Sequence, residues 1–115
     1  MDYQDIIRRL YKAFNQRNID GVLPYFHLDV QWPNGWEGGY VFGHTAVRDY
    51  WTRQWRGIDP HVEPLNITEL PDGRVAVDVH AVLRDMAGNL MMDAQMRHVY
   101  TFEDGLVRTM DIENK

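Results

Sequence analysis

Cysteine is absent from this chain of 115 residues. That excludes disulfides, a thiolate nucleophile and cysteine-ligated zinc. Long apolar runs are also missing. Nothing approaches the roughly 20 residues that span a bilayer, so no membrane partner is expected. Positive charge is scarce: 12 Lys and Arg face 17 Asp and Glu, a formal net charge of −5. The tightest basic group, Arg8, Arg9 and Lys12, is interleaved with acids and reads as a solvated helix face, so no nucleic-acid partner is expected. The five histidines, His27, His44, His61, His80 and His98, show no HExxH or other ligand spacing, and no metal is expected. No GxGxxG or GxxxxGK[ST] loop occurs. Gly35, Gly38, Gly39 and Gly43 are too irregular for a phosphate cradle, so no nucleotide or other cofactor is expected. The opening residues, Met1-Asp2-Tyr3-Gln4-Asp5, are polar and acidic, unlike a secretory leader, and point to a cytoplasmic protein.

The length suits one domain over residues 1–115, able to bury roughly two-thirds of its unfolded surface, with little to spare for a large cavity. Helical periodicity fills the first half and two-residue alternation the second, the order of an α+β fold. Tyr3, Ile6, Ile7, Leu10, Tyr11 and Phe14 make one apolar stripe and predict a helix over 3–17, capped by Asp2. Ile19, Val22, Leu23 and Phe26 predict a second, short helix over 19–26. Residues 28–32 alternate as a strand, and Pro33-Asn34-Gly35 turns. The glycine- and aromatic-rich stretch 36–43 reads as a loop or irregular strand. Thr45 caps a third helix over 46–56 that Gly57 and Pro60 end, with Val47, Tyr50, Trp51, Gln54 and Trp55 on one side.

Strands follow at 62–70, 75–84, 90–102 and 107–112. Asp104-Gly105 suits a two-residue type I′ hairpin. With that loop and an unbroken ladder, Phe102 lies opposite Val107, Tyr100 opposite Thr109 and His98 opposite Asp111. Opposed residues share a face, so His98 and Asp111 become a candidate catalytic pair on the side of Met96, Tyr100 and Phe102. A carboxylate on one ring nitrogen sets the tautomer and leaves the other free to move a proton. The alternatives are a structural pair at a sheet end, or a bulge that shifts the register.

Several phrases resemble SnoaL-like proteins, in the superfamily of polyketide cyclases, ketosteroid isomerases and nuclear transport factor 2. They are Leu10-Tyr11-Lys12-Ala13-Phe14-Asn15, Asp20-Gly21, Phe26…Asp29-Val30, the run from Gly43 to Trp51, and the closing hairpin from His98 to Val107. Their order along nearly the whole chain carries the likeness. The resemblance implies three N-terminal helices on a curved, mostly antiparallel sheet in a cone, and a homodimer through the sheet's outer face, here His80, Val82, Val99, Thr101 and Met110. It also implies a pocket for a small apolar or aromatic organic molecule. In the isomerases of this superfamily an aspartate base falls where Asn34 stands here, an oxyanion-hole tyrosine near Leu10 and Tyr11, and a protonated aspartate near His98. Those departures argue against steroid isomerisation. The cyclases' histidine and aspartate are similar to His98 and Asp111.

Tyr11, Phe14, Trp32, Trp36, Tyr40, Trp51, Trp55, Met96 and Tyr100 are the candidate ligand-binding residues. Trp51 and Trp55, at helical spacing, read first as ordinary core. Two functions compete: a cofactor-free isomerase, cyclase or hydratase using general acid–base chemistry, and a non-catalytic binding module or interaction dimer whose cone is filled.

Overall fold

In the computed structural model, which describes residues 3–35 and 37–114, the first apolar stripe forms helix α1, Tyr3–Asn15. Ile6, Ile7, Leu10, Tyr11 and Ala13 are its buried residues. The helix stops two residues before the predicted end because Arg17 enters the left-handed region at φ 62°. Asn18 N–H then donates to the Ala13 carbonyl at 2.8 Å, closing the turn. The predicted Asp2 cap lies outside the described residues. Asn18 does cap helix α2, Ile19–Val22, by accepting from Gly21 N–H.

The second helix is one turn rather than the predicted eight residues. Pro24 lacks an N–H for a continued α-helix, and Leu23–Tyr25 form a 3-10 turn instead. Strand β1, Phe26–Pro33, begins earlier than expected, and β2, Tyr40–Phe42, returns beside it with Gln31 opposite Phe42. Helix α3 runs Gly43–Gly57, starting ahead of the expected Thr45 cap, with no side-chain cap. Gly43 sits at φ 83°, where a side chain would be strained. His44 Nε2 instead donates to the Phe26 carbonyl at 2.9 Å.

Strand β3, Ile58–Glu69, follows α3 without the break expected at Pro60. It lies at the sheet edge, where a missing proline N–H is tolerated. Strands β4, Val75–Asp85, β5, Leu90–Glu103, and β6, Leu106–Asn114, complete a six-stranded sheet in the order β2-β1-β6-β5-β4-β3. All neighbours are antiparallel except β1 and β6. The inner face carries Val75, Val77, Val79 and Ala81 of β4, as the alternation predicts, with Tyr100, Val107 and Met110.

The last hairpin begins as derived. Asp104 and Gly105 both have positive φ, 55° and 77°, and Phe102 lies opposite Val107. The next pair is Thr101 with Thr109, so Arg108 is an extra residue in β6. This bulge moves every later pair by one: Tyr100 faces Met110, His98 faces Ile112, and Asp111 faces Val99. The predicted His98–Asp111 pair is therefore not formed; the two residues point to opposite faces of the sheet. For the same reason Met110 is 1% exposed and lies in the core, not on the proposed dimer face. The bulge coincides with a contact to a neighbouring strand. Arg108 donates to the Asp29 carbonyl, and β1, the parallel neighbour, is irregular over the same stretch.

Candidate functional site

Helices and the inner face of the sheet enclose a cavity of about 600 Å³. That is within the usual range for small-molecule sites. Its walls are mostly aromatic and aliphatic. Trp32 stacks on Phe26 at 5.0 Å and meets Trp51 edge-on at 5.5 Å, and Phe14 meets Trp51 at 5.2 Å. Of the sequence candidates, Tyr11, Phe14, Trp32, Tyr40, Trp51, Met96, His98 and Tyr100 line the cavity. Trp55 does not. One turn beyond Trp51, it packs against Phe14 at 5.4 Å and under the Arg17 guanidinium, behind the wall. Trp36 lies outside the described residues. Asp111 accepts a hydrogen bond from the Tyr40 hydroxyl at 2.6 Å and takes no part in the lining.

A buried polar chain replaces the expected pair. The Tyr100 hydroxyl donates to the Tyr11 oxygen at 2.7 Å, and the Tyr11 hydroxyl is 2.7 Å from His98 Nδ1. Local sequence explains the meeting. Tyr11 is on the buried stripe of α1, and His98 and Tyr100 alternate onto the inner face of β5. The direction of the chain follows from its far end. Tyr100 has no other hydrogen-bond acceptor among the described residues, so its proton goes to Tyr11, and the Tyr11 proton goes to Nδ1. The reverse direction would bury an unpaired hydroxyl proton.

A neutral His98 then carries its own proton on Nε2. No described residue accepts from Nε2, and His98 lines the cavity. Burial pushes its pKa from 6.5 down to about 4, so the ring is neutral at physiological pH. Burial likewise raises both phenol pKa values, Tyr11 well above the ordinary value. The site is thus a neutral N–H donor held by two un-ionised phenols.

No Asp, Glu, Lys or Arg of the described residues lines the cavity. Asn34, 7% exposed, does. Its amide accepts from Glu37 N–H at 2.7 Å and donates to the Glu37 carboxylate at 2.9 Å. Arg53 of α3 bonds both oxygens of that carboxylate at 2.9 Å. Asn34 first, and then Arg53, hold the Glu37 pKa below the ordinary value.

Elsewhere, His27, Glu103 and Asp104 bring potential ligand atoms within 4.8 Å of one another. His27 Nδ1 accepts from Asp29 N–H at 3.0 Å, which leaves the proton on Nε2. That proton faces Glu103 at 3.0 Å, a hydrogen-bonded pair rather than a lone-pair donor for a metal.

Among the polar lining residues, sequence reasoning passed over Tyr50 and Gln54 as site residues. Both line the cavity from α3, where Gln54 Nε2 donates to the Tyr50 hydroxyl at 3.2 Å. Their one-turn spacing, on the same helix side as Trp51, was the available signal.

Three helices on a curved mixed sheet around an apolar cavity define a small cone-shaped α+β protein. The chain belongs to the SnoaL-like domain family, whose profile matches residues 7–110. No functionally curated protein matches the sequence. Among solved structures, a nuclear transport factor 2-like protein of unknown function from Burkholderia pseudomallei is 24% identical, with a TM-score of 0.83 over 97% of this chain and 89% of that one. TerC, co-crystallised with polyporic acid, is 24% identical, with a TM-score of 0.82 over 96% of this chain and 89% of its own. A protein of ketosteroid isomerase-like fold from Catenulispora acidiphila, in complex with trimethylamine, is 13% identical, with a TM-score of 0.81 over 96% and 85%. At these identities the likeness is one of fold. No described helix is long and apolar enough to cross a membrane.

Proposed function

We propose that this protein binds a small, largely apolar carbonyl compound in its cone and promotes its enolisation: His98 Nε2–H hydrogen-bonds the oxygen on which negative charge develops, and a water molecule takes up the α-proton. The observation that carries the reading is the Tyr100–Tyr11–His98 chain, which ends in a neutral Nε2–H at the cavity surface. Isomerisation through an enol, aldol-type cyclisation and hydration of a conjugated ketone all build negative charge on a carbonyl oxygen. A preorganised N–H donor in an aromatic site stabilises that charge, and one such donor is typically worth about 10²–10³ in rate. His98 is the group that meets the substrate. Tyr11 and Tyr100 are positioning residues, because they hold the ring and its tautomer. That TerC was co-crystallised with polyporic acid, and that the Catenulispora protein is in complex with trimethylamine, supports small-molecule binding.

A second reading, a binding module without turnover, has its own support: among the described residues no carboxylate lines the cavity to act as base. β-Tetralone separates the two. Its uptake quenches Trp32 and Trp51 fluorescence, and proton transfer is read as exchange of its α-hydrogens in deuterium oxide. The account predicts quenching, together with exchange above the buffer rate that falls at least tenfold in His98→Ala. Quenching without exchange favours the binding module. The absence of both quenching and exchange contradicts both readings.

A further inference from the structure

Apart from Asn34 and Tyr40, which bond Glu37 and Asp111, the polar side chains of the lining fall on two walls. The first is the Tyr100–Tyr11–His98 chain on α1 and β5. The second is on α3, where Tyr50 and Gln54 are one turn apart and flank Trp51. Trp32 lies between the walls, its ring 6.2 Å from Tyr100 and 5.5 Å from Trp51.

The α3 wall has a definite polarity. Gln54 spends one amide hydrogen on the Tyr50 oxygen at 3.2 Å. Its carbonyl, Oε1, has no protein partner among the described residues. A half-buried amide acceptor in an aromatic pocket is best satisfied by an O–H or N–H of an occupant. The first wall offers the reverse, a donor at His98 Nε2.

Charge narrows the occupant further. His98 is the only described lining residue that ionises near neutrality, and burial keeps it neutral. A charged ligand would lose its hydration with no counter-ion to replace it.

From this arrangement we infer that Gln54 is a specificity-determining residue, and that the ligand class is neutral hydroxylated aromatic ketones. The ketone oxygen accepts from His98, the rings lie along Trp32 and Trp51, and the hydroxyl donates to Gln54 Oε1. This rests on the binding reading above and deepens it.

Calorimetric titration with benzophenone and para-hydroxybenzophenone tests it. One hydrogen bond that an unhydroxylated ligand leaves unmade is worth about tenfold in affinity. The wild-type protein should therefore prefer the hydroxylated ketone by about that factor. Gln54→Leu, which keeps the volume and removes the acceptor, should bring the ratio of the two dissociation constants to about one. Gln54→Glu, which keeps an acceptor, should retain the preference, and thermal melts confirm that each variant is folded. A preference that survives in Gln54→Leu, or is lost in Gln54→Glu, overturns the assignment. So does equal wild-type affinity for the two ketones, which leaves the binding reading standing. If neither ketone binds, the binding reading itself fails and carries this one with it.

Discussion

His98 gathers most of the site's chemistry, and its burial leaves a mark that needs no ligand to detect. In the unfolded chain the imidazole takes up a proton near its ordinary value of 6.5, whereas in the fold it does so only near 4. Between those values the unfolded state binds more protons, so stability falls as the pH drops. The contribution is intact above pH 6.5 and is lost toward pH 4, a cost of roughly 3 kcal/mol. His98→Gln keeps an acceptor for the Tyr11 hydroxyl and removes the titration. Urea unfolding from neutral to acid pH should show a shallower loss of stability in the variant than in the wild type. Parallel curves would mean that His98 titrates normally. At this scale the sequence was informative about which residues face inward. Tyr11, Trp32, Met96 and Tyr100 sit at the periodic positions of their own helix or strand, and period alone aims them at the core. It put Gln54 on the side of Trp51 but left its role open, because a glutamine on an apolar helix side looks the same whether it meets solvent or a cavity.

At the scale of elements, local signals were readable and neighbour effects were not. The Asp104-Gly105 turn adopts the two positive φ angles that its type demands. The bulge at Arg108 left no trace, since Val107-Arg108-Thr109 alternates like any strand. What pulls it out of register is β1, which lies about eighty residues away in sequence and pairs in parallel with β6. One displaced residue was enough to separate His98 from Asp111. The edge strand β3 shows a second non-local device. Asn15, at the end of α1, donates to the Val62 carbonyl at 2.8 Å and accepts from Val62 N–H at 2.9 Å. It thereby replaces the strand neighbour that β3 lacks there. Asn15→Ala leaves both backbone groups without their partner and should cost about 2 kcal/mol in chemical denaturation. A loss below about 0.5 kcal/mol would show that water satisfies Val62 equally well.

For the molecule as a whole, the question a sequence answers least is whether an apolar interior is solid or hollow. The same stripes that pack α1 and α3 against the sheet also line a cavity of about 600 Å³. Composition sets the number of apolar side chains; only their relative placement decides whether the rings of Phe26, Trp32 and Trp51 meet at the centre or stand around a space. The central claim is that this space ends in a neutral imidazole presenting Nε2–H to an occupant. Nitrogen NMR of the His98 ring reads that directly, with and without benzophenone. The account predicts a neutral ring protonated on Nε2 at neutral pH, taking up its second proton only near pH 4, and a shifted Nε2–H signal when the ketone is added. A ring protonated on Nδ1, one that titrates near 6.5, or an Nε2 signal unmoved by a ketone that binds would contradict it.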